Sequence, residues 1–355
     1  MSTEPESPFQ ARQAEHAAAG QLGQYRAVRE GVGVMDFSTM PRVDIRGADA
    51  TNLVNSLVTR DIAMLKPGQI AYSACCNELG KMRDDCTVAC VDEGHLLYSG
   101  SRPEAIAVLV EQGRAMGVDV RVVTEETGYL AVQGPLSRQV LGTLANKDLS
   151  NAQFPYYTCR EDIELSGIPV FMARIGFTAE LGYEVSVDRD RALDLWDVLA
   201  AAGASTGLTV VDTAIDCLSI EGGLVDGAVD YDETVSPYEC GLGWTVDEGK
   251  QSFCGREVLL RDKTTSRLRL TSVVLESGGE KAGGAKLFSG DSEVGVTTRA
   301  AVSPYLGGKT LAVARVDEGY VLAGTQLSAE WPGTRTEATV VSHPVYEARR
   351  ERAKR

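Results

Sequence analysis

Histidine is nearly absent: of 355 residues only His16, His95 and His343 carry an imidazole. Three scattered rings supply neither a multi-histidine metal centre nor a histidine-based triad, and His95 sits in an ordinary strand pattern. Long apolar runs are missing as well. No stretch reaches the roughly 18 to 20 apolar residues of a membrane span, and the opening MSTEPESPFQARQAEHAAAG has no basic start followed by an apolar run. A soluble, cytoplasmic protein with no membrane partner is expected. Positive charge is also short, with 35 Lys and Arg against 50 Asp and Glu for a net charge of -15. That balance repels phosphate backbones at long range and argues against nucleic acid as a partner. The eight cysteines, from Cys75 to Cys254, form no C-x-x-C pair, so buried free thiols are expected. Cys86 and Cys90 in DDCTVACV share one face of a strand, as packing. There is no G-x-S-x-G, no G-x-x-x-x-G-K-[ST] and no H-E-x-x-H. The run GGEKAGG lacks the flanking strand and helix of a dinucleotide cradle. Carboxylates, aromatics and backbone remain, which suit a polar organic ligand; no metal is expected.

What is present is a chain long enough for two or three domains, with 43% hydrophobic residues. The first twenty residues read as a loose polar arm with a helix from about Ala11. RVDIR (42–46) alternates like a half-buried strand, and ADATNLVNSLVTRDI places Leu53, Val54, Leu57 and Val58 on one helical stripe. GHLLYSG reads as a strand, RPEAIAVLVEQGRAMG as a helix closed by Gly117, and VDVRVV as a strand. Gly134-Pro135 separates a strand from a helix in YLAVQGPLSRQVLGTL. PVFMARIG and YEVSV follow as strands, then the helix DRALDLWDVLAAAG. After the helix REVLLRDKTTS the texture becomes short β pieces with glycine turns, SGDS being a hairpin candidate. The pattern is α+β with a separate C-terminal β-domain; the final YEARRERAKR reads as a solvated basic tail. In RIGFTAELGYEVSV, Glu180 falls in a turn and Glu184 shares the polar face of a strand with Ser186.

Four stretches, SACCNELGKMRDDC (73–86), RIGFTAELGYEV (174–185), IEGGLVDGAVDYDETVSPYECGLGWTV (220–246) and VGVTTRAAVSPYLGGKTLAVARV (294–316), occur in an order that resembles one family. From about Tyr25 to Asp317 the chain is similar to the folate-dependent one-carbon transferases related to the glycine cleavage T-protein (aminomethyltransferase) and dimethylsulfoniopropionate demethylase. The resemblance implies a three-lobed aminomethyltransferase-like fold, with a C-terminal β-barrel domain around a central folate channel. The lobes expected are 1–50 plus 145–260 as a discontinuous folate-binding α+β unit, 51–144 as a second α+β unit, and 265–345 as the barrel.

The family's pterin-binding glutamate falls on Glu184, where a carboxylate can accept two parallel hydrogen bonds from a flat heterocycle. Neighbours on a strand face opposite ways, so one of Asp84 and Asp85 enters the pocket; the resemblance favours Asp85, as the catalytic carboxylate near the accepting nitrogens. Tyr72, Asn77, Arg174, Phe177, Tyr238 and Trp244 are the other expected folate-binding residues. Glu239 either braces its loop or touches ligand. Three departures fall on the substrate side. The family's S-H-M reads Ser38-Thr39-Met40, its motif tyrosine is Phe177, and its L-R-x-E reads Leu218-Ser219-Ile220-Glu221. Thr39, Met40 and Ser219 are therefore substrate-side candidates, and a lipoylated carrier is not expected. The resemblance, so qualified, implies a tetrahydrofolate-dependent methyl or one-carbon transferase demethylating a small methylated substrate onto N5. The alternatives are an aminomethyltransferase acting on a lipoyl-bound intermediate, and a non-catalytic folate-binding protein.

Overall fold

The computed structural model describes residues 7–13 and 20–355. Alternating apolar residues build two sheets and a barrel. The six-stranded sheet runs in the order Thr209–Val210, Gly33–Asp36, Thr127–Gln133, Gly182–Asp188, Ile168–Ala173, Cys159–Leu165. Only the pairing of Gly33–Asp36 with Thr209–Val210 is parallel. The five-stranded sheet is antiparallel in the order Gln69–Cys76, Met82–Asp92, His95–Gly100, Arg42–Arg46, Asp119–Val122. The closed barrel takes its six strands from Leu268–Leu275 through Thr334–Val341. Mixed α+β followed by a barrel is the architecture expected.

Helical elements form where the spacing placed them. Ala50–Leu57 buries Leu53, Val54 and Leu57 against the five-stranded sheet. Pro103–Met116 begins with its proline in the first turn and stops at Gly117, whose φ of 70° closes the helix in the left-handed region. Ala192–Gly203 buries Leu195, Trp196 and Leu199 on the six-stranded sheet. The SGDS hairpin forms, with Ser289 opposite Ser292. All eight cysteines are free, seven of them buried. No helix among the described residues is long and apolar enough to cross a membrane.

Three sequence expectations need correction. The sheets divide the chain at about Pro41 and Val123, not at 50 and 144. Arg42–Arg46 joins the five-stranded sheet, and Thr127–Gln133 joins the six-stranded one. Short strands at a lobe crossing look the same in sequence whichever sheet they join. The N-terminal arm is not wholly loose. Gln10–Gln13 is helical and Phe9 is fully buried beside Trp196, at a ring distance of 5.8 Å; the rest of the helix expected from Ala11 lies outside the described residues.

The basic tail is not merely solvated. Arg352 reaches Glu180 at 2.7 Å, and Arg174 donates to the carbonyls of Ala353 and Arg355 at 3.0 and 2.6 Å. The tail thus leaves the barrel and straps across the six-stranded lobe, with Arg352 paired to a buried carboxylate and its end held through backbone carbonyls.

Candidate functional site

A cavity of about 1070 Å³ lies where the two sheets, the loop after Glu221 and the barrel meet. Each wall follows from strand alternation. In Met82–Asp92, Asp84 is fully buried and Asp85 faces the cavity. Asp84 accepts from Tyr98 at 3.0 Å and from the Ser101 amide and hydroxyl at 3.0 and 2.7 Å, so it braces the wall. Burial and the charge of Asp85 push Asp84 up to about 7. Asp85 accepts from the Tyr72 hydroxyl at 2.6 Å and the Tyr231 hydroxyl at 2.5 Å. Burial raises it above the usual carboxylate range, while those two hydrogen bonds pull the other way.

On the opposite wall, Glu184 is 8% exposed and accepts from the Tyr129 hydroxyl. Tyr129 pairs with Ser186 and Ala131 with Glu184, so Tyr129 is the diagonal same-face neighbour of the glutamate. Desolvation raises the Glu184 carboxyl to about 7 against the opposing effects of Tyr129 and Arg42. Its Oε2 is occupied by Tyr129, and the face it shares with Ser186 is the cavity side, not a solvated surface. Glu180, four residues earlier, is 2% exposed and has a different office. It pairs with Arg29 at 3.3 Å, Arg352 at 2.7 Å and the Tyr346 hydroxyl at 2.5 Å.

Of the residues singled out in the sequence, the structure brings Asp85, Glu184, Tyr72, Phe177, Trp244, Thr39 and Met40 to this cavity. Trp244 stacks on Tyr72 at 5.8 Å and 22°, and Phe177 meets Phe37 edge-on at 6.5 Å. Four are not among the lining residues. Asn77 caps its own turn by accepting from the Leu79 and Lys81 amides at 3.0 Å. Arg174, fully buried, also donates to Asn151 at 2.8 Å and so ties down the tail. Tyr238 packs with Cys76, Val246 and Phe253, and Ser219 accepts from Arg299 at 2.9 Å. Short-range pattern identifies polar and aromatic positions but not which side of an element meets the cavity. Glu239 braces its loop, accepting from the Ser236 amide at 2.7 Å and Ser266 at 2.8 Å.

Sequence reasoning missed Tyr129, Tyr231, Arg350 and His343. The tail delivers the last two: both line the cavity, and Arg350 Nη1 is buried with no hydrogen-bond partner among the described residues. His343 shares a hydrogen bond of 2.9 Å between Nδ1 and Ser272. Burial and the nearby Arg350 lower it to about 4, so its ring is neutral at physiological pH. The cavity therefore presents two carboxylates on facing walls, flat aromatic surfaces, and a guanidinium with a free donor. That set can hold a flat heterocycle by its edge at Glu184 while a second polar group meets Asp85.

The sequence profile of the GCVT N-terminal domain matches residues 5–250, and that of the glycine cleavage T-protein C-terminal barrel domain matches residues 269–347. The chain is 33% identical over 333 residues to an aminomethyltransferase of Thermotoga neapolitana, covering 90% of this chain and 88% of the relative. It is 30% identical over 332 residues to an aminomethyltransferase of Alkaliphilus oremlandii, covering 92% and 89%. In three dimensions it is similar to the glycine cleavage system aminomethyltransferase T from Bartonella henselae, with a TM-score of 0.86 over 97% of this chain and 99% of that one. At 22% identity this is a likeness of fold.

Proposed function

The chain belongs to the glycine cleavage T-protein family, and from that premise we propose that it moves a methyl group from a small methylated substrate onto N5 of tetrahydrofolate. Membership makes it a tetrahydrofolate-dependent one-carbon transferase. The methyl donor is our own reading. The observation that carries it is the placement of Glu184 and Asp85 on facing walls of one cavity, each held by tyrosine hydroxyls.

The residues present fit a reduced folate. Glu184 can accept from the ring amide N–H and 2-amino group of a pterin, and the Phe177 and Tyr72 rings offer flat contact. The buried free Nη1 of Arg350 seeks an acceptor. When bound, tetrahydrofolate supplies the nitrogen nucleophile that takes up the carbon. Asp85 stands to orient that end of the site and to take the proton the nitrogen gives up as its new bond to carbon forms and the carbon–heteroatom bond breaks. Burial raises Asp85 above the ordinary carboxylate range, and the Tyr231 and Tyr72 hydroxyls oppose that by favouring its ionised form. Alignment is the larger contribution, since well-oriented reactants can save roughly 7 to 11 kcal/mol of barrier.

The substrate side supports a methyl donor over an aminomethyl arm. Thr39 lines the cavity without a charge, and Ser219 is turned to Arg299 instead of the ligand space. The names of the relatives favour the second reading, transfer of an aminomethyl carbon from a lipoylated carrier. Product analysis separates them. Purified protein, titrated anaerobically with tetrahydrofolate by calorimetry, should bind it, and Glu184→Gln should lose at least about tenfold in affinity. Incubation with methylated amines, sulfonium compounds and methyl ethers should then give 5-methyltetrahydrofolate by mass spectrometry. Formation of 5,10-methylenetetrahydrofolate only with an aminomethylated lipoyl carrier would overturn the methyl reading and establish the second.

A further inference from the structure

Tyr231 can hold Asp85 only while its own loop is held, and the loop is fastened from the barrel. Residues 222–235 cross the cavity with no strand or helix of their own. Six of them, from Gly223 to Ala228, line it. The fit over Asp85 is close. A Cβ at Gly227 would lie 2.0 Å from Ser101 Oγ and 2.6 Å from Asp85 Oδ1. Such a segment keeps its place only if something outside it supplies the restraint.

Two arginines do so. Arg102, on the five-stranded lobe, donates to the Gly227 carbonyl at 2.8 Å and the Tyr231 carbonyl at 2.5 Å. Arg299 comes from the barrel strand Ser292–Ser303 and is 6% exposed. Its guanidinium pairs with Asp230 at 2.7 Å through Nη2 and 3.0 Å through Nε, and reaches the Leu224 carbonyl at 2.7 Å. Its Nη1 meets the Ser219 hydroxyl at 2.9 Å, so a small residue at 219 is what admits it. Asp230, fully buried, also accepts from the Thr298 hydroxyl and the Asp226 amide, the latter at 2.8 Å. Every restraint on Asp230 lies one residue from Tyr231.

We propose that Arg299 is a positioning residue for Asp85: acting through Asp230, it fixes the 222–235 loop so that the Tyr231 hydroxyl reaches the Asp85 carboxylate. The barrel is thereby part of the apparatus that sets the state of the transfer carboxylate. The role given to Asp85 rests on the proposed function, but the link from Arg299 to Asp85 is physical and can be measured without folate or donor. Asp85 is faced by Tyr72 from one neighbouring strand, by Tyr231, Asp226 and Asp230 from the loop, by Asp84 on its own strand, and by the Ser101 hydroxyl. Of these, Arg299 governs the loop group alone.

The test is a titration of the Asp84–Asp85 pair by carbon-13 NMR of protein labelled at the aspartate carboxyl carbons, with Asp85→Asn assigning the signals. Tyr231→Phe should move the Asp85 titration upward by about one pH unit, the size expected for one hydrogen bond to a charged group. Arg299→Met should give a comparable upward shift, and the double variant no more than either alone, because both remove the same contact. Arg299→Lys, which keeps a cation for Asp230, should recover much of the wild-type titration. If Arg299→Met does not fold, Asp230→Asn takes its place. An unshifted Asp85 in a folded Arg299→Met or Asp230→Asn variant, with Tyr231→Phe shifted, would overturn the proposal. So would strictly additive shifts in the double variant. Failure of tetrahydrofolate to bind the wild type would remove the functional reading and leave this coupling to stand or fall on the titration.

Discussion

With its carboxyl raised to about 7 by burial, Glu184 titrates within the physiological range, and the sign of each consequence can be worked out. A pterin edge donates two hydrogens, so Glu184 must be ionised to accept both. Tetrahydrofolate affinity should therefore level off above about pH 8 and fall by up to about tenfold per unit below pH 7, as calorimetry across that range would show. Stability runs the other way. A carboxyl raised above its ordinary 4.5 contributes stability fully below that value and loses it as pH rises through 7. Ligand-free Glu184→Gln should thus be more stable than wild type at about pH 8, by at most about 3 kcal/mol, with the gain vanishing near pH 4.5 in thermal melts. Strand alternation alone left Glu184 on a polar face, and only the family resemblance of its stretch pointed to the cavity that it lines. Tyr129 was not legible, because only the register of two strands 55 residues apart brings its hydroxyl to the glutamate.

Elements whose apolar spacing faces one core formed where the sequence placed them, as Ala50–Leu57 and Met82–Asp92 show. The tail and the 222–235 loop have no period, and their places come from long-range charge pairs that no local pattern reveals. The helix Gly20–Glu30 provides the clearest case. Its Arg29 donates to the Thr178 carbonyl at 2.6 Å and pairs with both Glu180 and Glu221, and all three charged side chains are buried. Arg29→Met would leave two carboxylates in the interior without their shared cation and should cost about 3 to 5 kcal/mol, measured by chemical denaturation. Arg352→Ala should cost clearly less. Its side chain is 31% exposed, and Glu180 retains Arg29 and Tyr346.

For the molecule as a whole, one apolar cluster joins the lobes. Val28 and Met35 meet Leu218 and, from the barrel, Leu311 and Val313. Leu311→Ala should cost about 2 to 5 kcal/mol through the cavity it leaves. Because the cluster bridges barrel and six-stranded lobe, scanning calorimetry should show both melting together at a lower temperature; two separated transitions would show that the barrel unfolds by itself. The α+β-then-β order was readable from texture, since β-rich pieces with glycine turns differ plainly from helix–strand alternation; that those pieces close into a barrel was implied by the family resemblance alone. The crossing points near Pro41 and Val123 were not readable, because a short strand carries no mark of the sheet it will join. Those crossing points have a consequence for inheritance. The chain leaves the six-stranded sheet after Asp36 and returns to it at Thr127, so Arg42–Val122 is one continuous block that carries Asp85 and Tyr72 while Glu184 stays on the host. Recombination between relatives at these two positions can exchange Asp85 and Tyr72 together and leave Glu184 and Tyr231 on the host, so an exchanged block must still fit the host's 222–235 loop.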